Sequence, residues 1–302
     1  MPSTTVASLG VTNGIDTHLH PWRLSNLPPV IQGAKEVRPD LAQDYSPSRV
    51  ITSAKESGFS GVIFAQARDP HEGSTAEAQF FLEAAREHPE VLGCIVGIDL
   101  LDTEGTRLAL SKICDNPIVR SGRMLKPENF GVGILSDERA QGTIKLLGEM
   151  GLSFDLLIRS ANRGQLEEGV RLVQWLSKNA KTTVIGDHLL KPTGVAEGKT
   201  TTDWRDALRE LAECGNFYLK ISGLPGEVPR GTSPEKFYSF YDAALEILGA
   251  DHLLFGSDHP VSFEYGASVL AVVSWIEAAG IGSGDIPQKI FGDNARVAYR
   301  IG

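Results

Sequence analysis

Short apolar runs and longer amphipathic runs alternate along nearly the whole chain. Runs of strand length fall at Ile15–His20, Gly61–Gln66, Leu92–Ile98, Ile118–Met124, Leu152–Ile158, Thr182–His188, Asn216–Ser222 and His252–Asp258. Helix-like stretches between them begin near Ser46, Ser74, Thr103, Ser136, Arg163, Asp203, Ser233 and Phe263. Several open on Ser, Thr or Asp, whose side chains accept from the free amides of a first helical turn. Ser136 is the expected cap of one helix, with Asp137 and Glu138 favoured by its dipole. Apolar strands alternating with helices predict a parallel sheet covered by helices, because such strands are buried on both faces. Eight units close into a (β/α)8 TIM barrel of the α/β class, and a single domain over residues 1–302 is expected. An open doubly wound sheet is the alternative. Its dinucleotide fingerprint needs glycines after the first strand, where this chain has His-Leu-His-Pro-Trp. Gly131-Val132-Gly133 lacks the third glycine, and the sequence holds no G-x-x-x-x-G-K-[ST] phosphate loop.

Composition narrows the class further. The 302 residues are 41% apolar and 22% charged, enough for a sizeable core and against wholesale disorder. A net charge of −9 argues against nucleic acid or an anionic membrane as partner. No apolar run approaches the ~20 residues that span a bilayer. The opening Met1-Pro2-Ser3-Thr4-Thr5 has no leader-like pattern. Cys94, Cys114 and Cys214 form no C-x-x-C pair, so neither a disulfide framework nor a thiolate zinc site is expected. A reducing, cytoplasmic setting is the expectation. The expected partner is a small-molecule substrate, and a homo-oligomer is compatible.

In a barrel, chemistry sits at the C-terminal ends of the strands and in the loops after them. The first strand ends Ile15-Asp16-Thr17-His18-Leu19-His20. Side chains two apart share a face, which sends His18 and His20 inward together. Paired imidazoles bind a divalent metal or polarise a carbonyl. The sixth strand ends Val184-Ile185-Gly186-Asp187-His188, with His188 expected at the mouth and Asp187 on the opposite face. The eighth ends Leu254-Phe255-Gly256-Ser257-Asp258-His259. Closure of the barrel would set Asp258 beside His18 and His20, partners that a buried carboxylate requires. Arg123 ends the fourth strand, as a bidentate clamp for a substrate carboxylate or as a structural ion pair. Gln66 ends the second strand, placed to bond a substrate hydroxyl, and Arg68 and His71 follow it. Lys220 and Ser222 end the seventh strand, in or beside the site. Lys191 reads as shaping its loop ahead of Pro192. The long segment 21–45, which carries Trp22, is either a lid over the substrate or a surface decoration.

The motifs IDTHLHPW, GDHLLKP, LKISGL and LLFGSDHPV, in this order, resemble the amidohydrolase superfamily, and within it the lactonase branch of L-fuconolactonase, L-rhamnonolactonase and 2-pyrone-4,6-dicarboxylate lactonase. GCIVGIDL, GLSFDLLI and FGDNARVAYRI fit the same branch, so the resemblance spans Ile15 to Ile301. It implies that His18 and His20 are the first-strand pair, His188 the histidine of D-H-x-x-K-P, and Asp258 the aspartate of G-S-D-W-P. His259 stands where the branch usually has Trp, which makes it a candidate substrate contact along with Arg123, Gln66, Arg68 and Trp22. A two-metal centre needs a bridging Lys near the end of strand four and a His on strand five. Strand five has no His, and strand four ends Arg123-Met124 with Lys126 beyond. The expectation is therefore no required cofactor, or one divalent metal such as zinc on His18, His20 and Asp258, with or without His188. The implied activity is a hydrolase of sugar or carboxylated lactones, in carbohydrate or aromatic catabolism, with Asp258 activating water. The alternative is a zinc-dependent decarboxylase of an aromatic or unsaturated carboxylic acid on the same barrel.

Overall fold

The computed structural model describes residues 4–70, 74–125, 133–262 and 268–302. Eight strands follow one another in the sheet in chain order, every adjacent pair parallel. They are β1 (Ile15–Leu19), β2 (Gly61–Ala65), β3 (Val91–Gly97), β4 (Val119–Arg123), β5 (Ser153–Leu156), β6 (Val184–Gly186), β7 (Phe217–Ile221) and β8 (Leu253–Phe255). The ring closes at the mouth, where Leu19 bridges to His259. There the Asp258 N–H donates to the His18 carbonyl at 2.9 Å, and the His20 N–H to the His259 carbonyl at 2.8 Å. The (β/α)8 barrel expected from the alternation is thus present. Every strand but β3 is shorter than its apolar run, because the run's last one to three residues leave the ladder at the mouth.

The helices are α1 (Pro29–Ala34), α2 (Pro47–Glu56), α3 (Ser74–Glu87), α4 (Thr103–Ser111), α5 (Glu138–Glu149), α6 (Arg163–Asn179), α7 (Thr202–Ala212), α8 (Glu235–Leu248), α9 (Val269–Ile276), α10 (Ile286–Gln288) and α11 (Asn294–Ala298). Ser46 caps α2 and Asp102 caps α4 through their side-chain oxygens. The cap of α5 is Asp137, which accepts the Arg139 N–H, and Ser136 ends the preceding 3-10 turn. That corrects the expected cap by one residue. The helix expected near Phe263 starts at Val269, with Ser268 as its cap; Phe263, like His71, Lys126, Gly131 and Val132, lies outside the described residues. No described helix is long and apolar enough to cross a membrane.

Most of the core lies between sheet and helices, from Val50 and Phe81 round to Trp204 and Phe291. A second cluster fills the base of the barrel: Ile15, Ile63, Ile95, Ile185 and Leu254 pack with Ala295, Ala298 and Tyr299. The C-terminal α11 therefore stoppers the base, and Ser153 Oγ–H tethers it through the Ala298 carbonyl at 2.6 Å. Above the base, β4, β5 and β7 contribute Ser121, Asp155 and Lys220 instead of the branched apolar layers usual in such barrels.

Candidate active site

The first strand carries an irregularity. Its register against β2 shifts between Asp16 and Leu19, a bulge that re-aims side chains near the mouth. Ile15 faces the base, and beyond the bulge His18 and His20 face the interior, their ring centroids 4.9 Å apart. Asp16 Oδ1 accepts the N–H groups of His18 (3.2 Å) and Ser257 (2.9 Å), tying β1 to the end of β8. Burial pushes its carboxyl up to about 7 against those bonds. His20 Nδ1 lies 2.8 Å from the Ala65 carbonyl. A carbonyl only accepts, so Nδ1 carries a proton, and Nε2 is the ring nitrogen turned toward the centre.

His188 reaches the site by a different route. Residues His188, Leu189, Leu190 and Lys191 all have left-handed backbone, φ 53°, 53°, 59° and 47°. Such a conformation costs about 1–2 kcal/mol per L-residue, so it persists only where its surroundings impose it. Here the buried Trp204 Nε1–H donates to the Leu189 carbonyl at 2.8 Å, and the Ser160 N–H and Oγ–H both donate to that of Leu190. His188 lies at the mouth as expected, whereas Asp187 takes the face opposite to the one expected. Ile185 faces the barrel interior, so Asp187, two residues on, does the same. Asp187 is fully buried there, against Arg123 and Lys220. His188, which strand alternation alone would send outward, is swung back over the mouth.

Asp258 also sits in left-handed backbone, φ 55°. Ser262 Oγ–H holds its Oδ2 at 2.9 Å. Its Oδ1 faces three imidazole Nε2 atoms: His20 at 3.5 Å, and His18 and His188 at 3.9 Å each. Burial opposes the carboxylate, but the neighbouring His188, His20 and His18 outweigh it and hold the group well below its ordinary range. Burial lowers His188 to about 4 and, with Lys220, takes His18 well below its usual value. At neutral pH the centre is one carboxylate with at least two neutral imidazoles. His188 Nδ1 lies 2.9 Å from Ser222 Oγ. When that hydroxyl donates, the imidazole proton is left on Nε2.

Beneath these groups lies a layer of buried charge. Lys220 Nζ contacts Asp155 at 2.5 Å, Asp187 Oδ1 at 3.0 Å and His18 Nδ1 at 3.0 Å. Asp155 also accepts from Ser121 Oγ at 2.6 Å and Tyr299 Oη at 2.8 Å. Arg123 spends Nη1 on Asp187 Oδ2 (2.7 Å) and His18 Nε2 (3.1 Å), and Nε and Nη2 on the side chain and carbonyl of Gln66. Of the two sequence readings of Arg123, the buried ion pair is the one observed. Asp155 and Tyr299 are members of this layer that the sequence reading missed, and Asp187 is one it expected on the opposite face. The signal for Asp155 was an acid inside an otherwise apolar strand.

The mouth opens on a pocket of about 230 Å³, lined among the described residues by His20, His188, Asp258 and Arg123 at the centre. Trp22, Val30 and Ile31 come from the long first loop, which folds over the mouth: Trp22 and Tyr45 pair at its two ends, and Arg38 donates to the Val261 carbonyl at 2.8 Å. His18, fully buried, lies below the pocket floor. The remaining candidate contacts fall elsewhere. Gln66 is buried and holds Arg123, because the strand delivers it toward β4. Arg68 bonds Asn26 and lines a separate hollow behind Trp22. His259 faces away, edge-on to Tyr45 and beside Arg49 in another surface depression. Lys191, read from sequence as a loop-shaping residue, does line the pocket.

The donor set fits one divalent ion. Ligand atoms of His18, His188 and Asp258 all lie within 4.8 Å of one another. His20, with Nδ1–H fixed on a carbonyl, presents Nε2 as metal-bound histidines do. The Arg123 guanidinium at His18 Nε2 competes for that one lone pair.

The sequence model of the family described as Amidohydrolase matches residues 15–301. An L-fucono-1,5-lactonase of Burkholderia ambifaria is 24% identical over 306 residues, covering 96% of this chain and 97% of that protein. An L-fucono-1,5-lactonase of Burkholderia multivorans is 25% identical, covering 87% of each. Among solved structures, an amidohydrolase from Burkholderia multivorans with bound zinc superposes with a TM-score of 0.81 at 26% identity, over 96% of this chain and 100% of that one.

Proposed function

The chain belongs to the amidohydrolase family, and from that premise we propose that it is a lactone hydrolase, with Asp258 as the general base. The observation that carries the reading is one carboxylate oxygen, Asp258 Oδ1, facing three imidazole Nε2 atoms within 3.9 Å at the floor of a pocket. The two curated relatives are both named as lactonases, which supports the same reaction class.

Asp258 is ionised throughout the physiological range, so it can take a proton from a water set against the lactone carbonyl. Its second oxygen is held by Ser262, which fixes Oδ1 toward the substrate. As water adds, the carbonyl oxygen gains negative charge. His188, neutral and with Ser222 donating to Nδ1, turns Nε2–H toward that oxygen. His20 faces the same point from β1. The ester bond then breaks, and Asp258 returns its proton to the departing ring oxygen, leaving a hydroxy acid. Should one divalent ion occupy His18, His188, Asp258 and His20, it supplies Lewis-acid polarisation and lowers the pKa of a bound water. His18 and Arg123 act from below as positioning residues.

The test is Asp258→Asn, assayed on a panel of lactones with and without chelator. Loss of about 10²–10⁴-fold in kcat with the fold retained is expected from removing a general base. Wild-type turnover in the variant would remove Asp258 from that role. Carbon dioxide release from aromatic acids, without lactone turnover, would replace lactonase by decarboxylase chemistry.

A further inference from the structure

The pocket above Asp258 has two chemically different kinds of lining. Two cationic groups line it, Arg159, just beyond β5, and Lys191, at the end of the left-handed turn. They share a single carboxylate: Glu227 Oε2 pairs with Arg159 Nη1 at 2.7 Å, and Oε1 with Lys191 Nζ at 2.9 Å. Burial opposes the charge on Glu227, and the two cations outweigh it. One donor of Arg159 and one of Lys191 are thereby spent. Arg has five N–H donors and Lys three, so the rim keeps a surplus positive charge and unspent donors beside the cavity. Apolar groups make up much of the rest of the lining: Trp22, Ile31, Leu125, Leu157 and Val261. The Trp22 indole N–H is already bonded to the carbonyls of Leu41 and Gln43. Among the described lining residues there is no Ser, Thr, Asn, Gln or Tyr to meet a substrate hydroxyl.

A sugar lactone carries a hydroxyl on most ring carbons. Against the apolar part of this lining those hydroxyls would lose water without gaining partners, a cost of about 1–3 kcal/mol each. A lactone with an apolar ring and one carboxylate meets both kinds of lining. We propose that the substrate is a small monocarboxylated lactone with an otherwise apolar ring, its carboxylate held between Arg159 and Lys191 and its carbonyl above Asp258. This rests on the lactone reading above, and departs from the sugar lactone in the relatives' names. The charge-bearing groups are outside the reacting centre, so the rim is a specificity device.

The experiment compares 5-oxotetrahydrofuran-3-carboxylate, its methyl ester and L-fucono-1,5-lactone by steady-state kinetics, in the wild type and in Lys191→Met and Arg159→Gln. Lys191→Met keeps the apolar stem at a strained backbone position. Arg159→Gln is the second variant in case that turn fails to fold. The carboxylate should exceed the ester in kcat/KM by about 100-fold, as two charge-assisted bonds provide. Each variant should raise KM for the carboxylate about tenfold more than for the ester. Equal or better turnover of the ester or of the sugar lactone overturns the proposal. So does an equal effect of both variants on all three substrates. If none is hydrolysed, the lactone reading fails for these rings, and binding decides the rim separately. The uncleavable ketone 3-oxocyclopentane-1-carboxylate should then bind the wild type at least about tenfold more tightly than its methyl ester, with the preference lost in Lys191→Met. Equal affinities would overturn the anionic subsite as well.

Discussion

Two of the groups around the pocket floor, His188 and Asp258, hold left-handed backbone that L-residues rarely adopt, and each owes its aim to that conformation. Buried titratable groups carry the other residue-level tension. Glu77 is buried on α3, where both its oxygens accept the Ala67 N–H at the edge of the pocket, at 3.0 and 3.1 Å. Burial pushes its carboxyl from 4.5 up to about 7. Between those values the folded protein holds a proton that the unfolded chain has released. Stability on account of Glu77 is therefore complete below pH 4.5 and lost as pH rises to about 7. The total is about 3 kcal/mol at 1.36 kcal/mol per unit. Glu77→Gln keeps an acceptor for Ala67 and removes the titration. Urea melts at several pH values should show the variant gaining on the wild type by about that amount between pH 4.5 and 7.5. A constant difference would mean that Glu77 does not titrate there. His18, His20, His188 and Asp258 were legible from sequence because each ends an apolar strand-like run. The roles of Asp187 and Lys191 were not: Asp187 follows Ile185 onto whichever face lines the barrel, and the left-handed turn that aims Lys191 leaves no mark in the local pattern.

At the scale of elements, the loops after β6 and β7 interlock. Gly223 has φ 70°, and a Cβ there would lie 2.5 Å from His188 Nδ1, where Ser222 also bonds. Gly223→Ala should therefore cost about 1–3 kcal/mol of backbone strain and also displace the imidazole, lowering kcat more than tenfold. Gly231 supplies the control. Its φ is 83°, and nothing lies within 4 Å of its would-be Cβ. Gly231→Ala should lose stability and keep turnover. Thermal melts and kinetics on both variants separate strain from displacement; equal kinetic losses would refute the contact. All eight strands were readable from apolar runs, and most helix starts fell within two residues of the capping positions. The misassigned cap, Ser136 for Asp137, reflects two adjacent residues of equal capping chemistry, which only backbone geometry distinguishes.

Across the whole barrel, charge is balanced in a layer that joins strands far apart in sequence. Lys220 on β7 neutralises Asp155 on β5 and Asp187 after β6, and Arg123 on β4 shares Asp187. All four side chains are buried. Breaking such a set from one side strands a charge, at about 3–5 kcal/mol, whereas removing both partners is far milder. Lys220→Met should lower stability by about that amount, and adding Asp155→Asn should recover a substantial part. Chemical denaturation of the two single variants and the double variant measures this coupling. Additive losses would show that Lys220 and Asp155 stabilise the barrel independently.

The sequence by itself determined the eight-fold alternation, the ring that follows from it, and which strand ends bear histidine and aspartate. Those features are written in local periodicity, and strand spacing converts them into position. Tertiary structure alone decided which way Asp187 and His188 point, that Arg123 is spent on Gln66, Asp187 and His18, and that Gln66, Arg68 and His259 leave the pocket to Lys191 and Arg159. These outcomes depend on a bulge, a left-handed turn and the pairing of charges more than thirty residues apart. Their energies come from contacts across the barrel, which no local stretch of sequence contains.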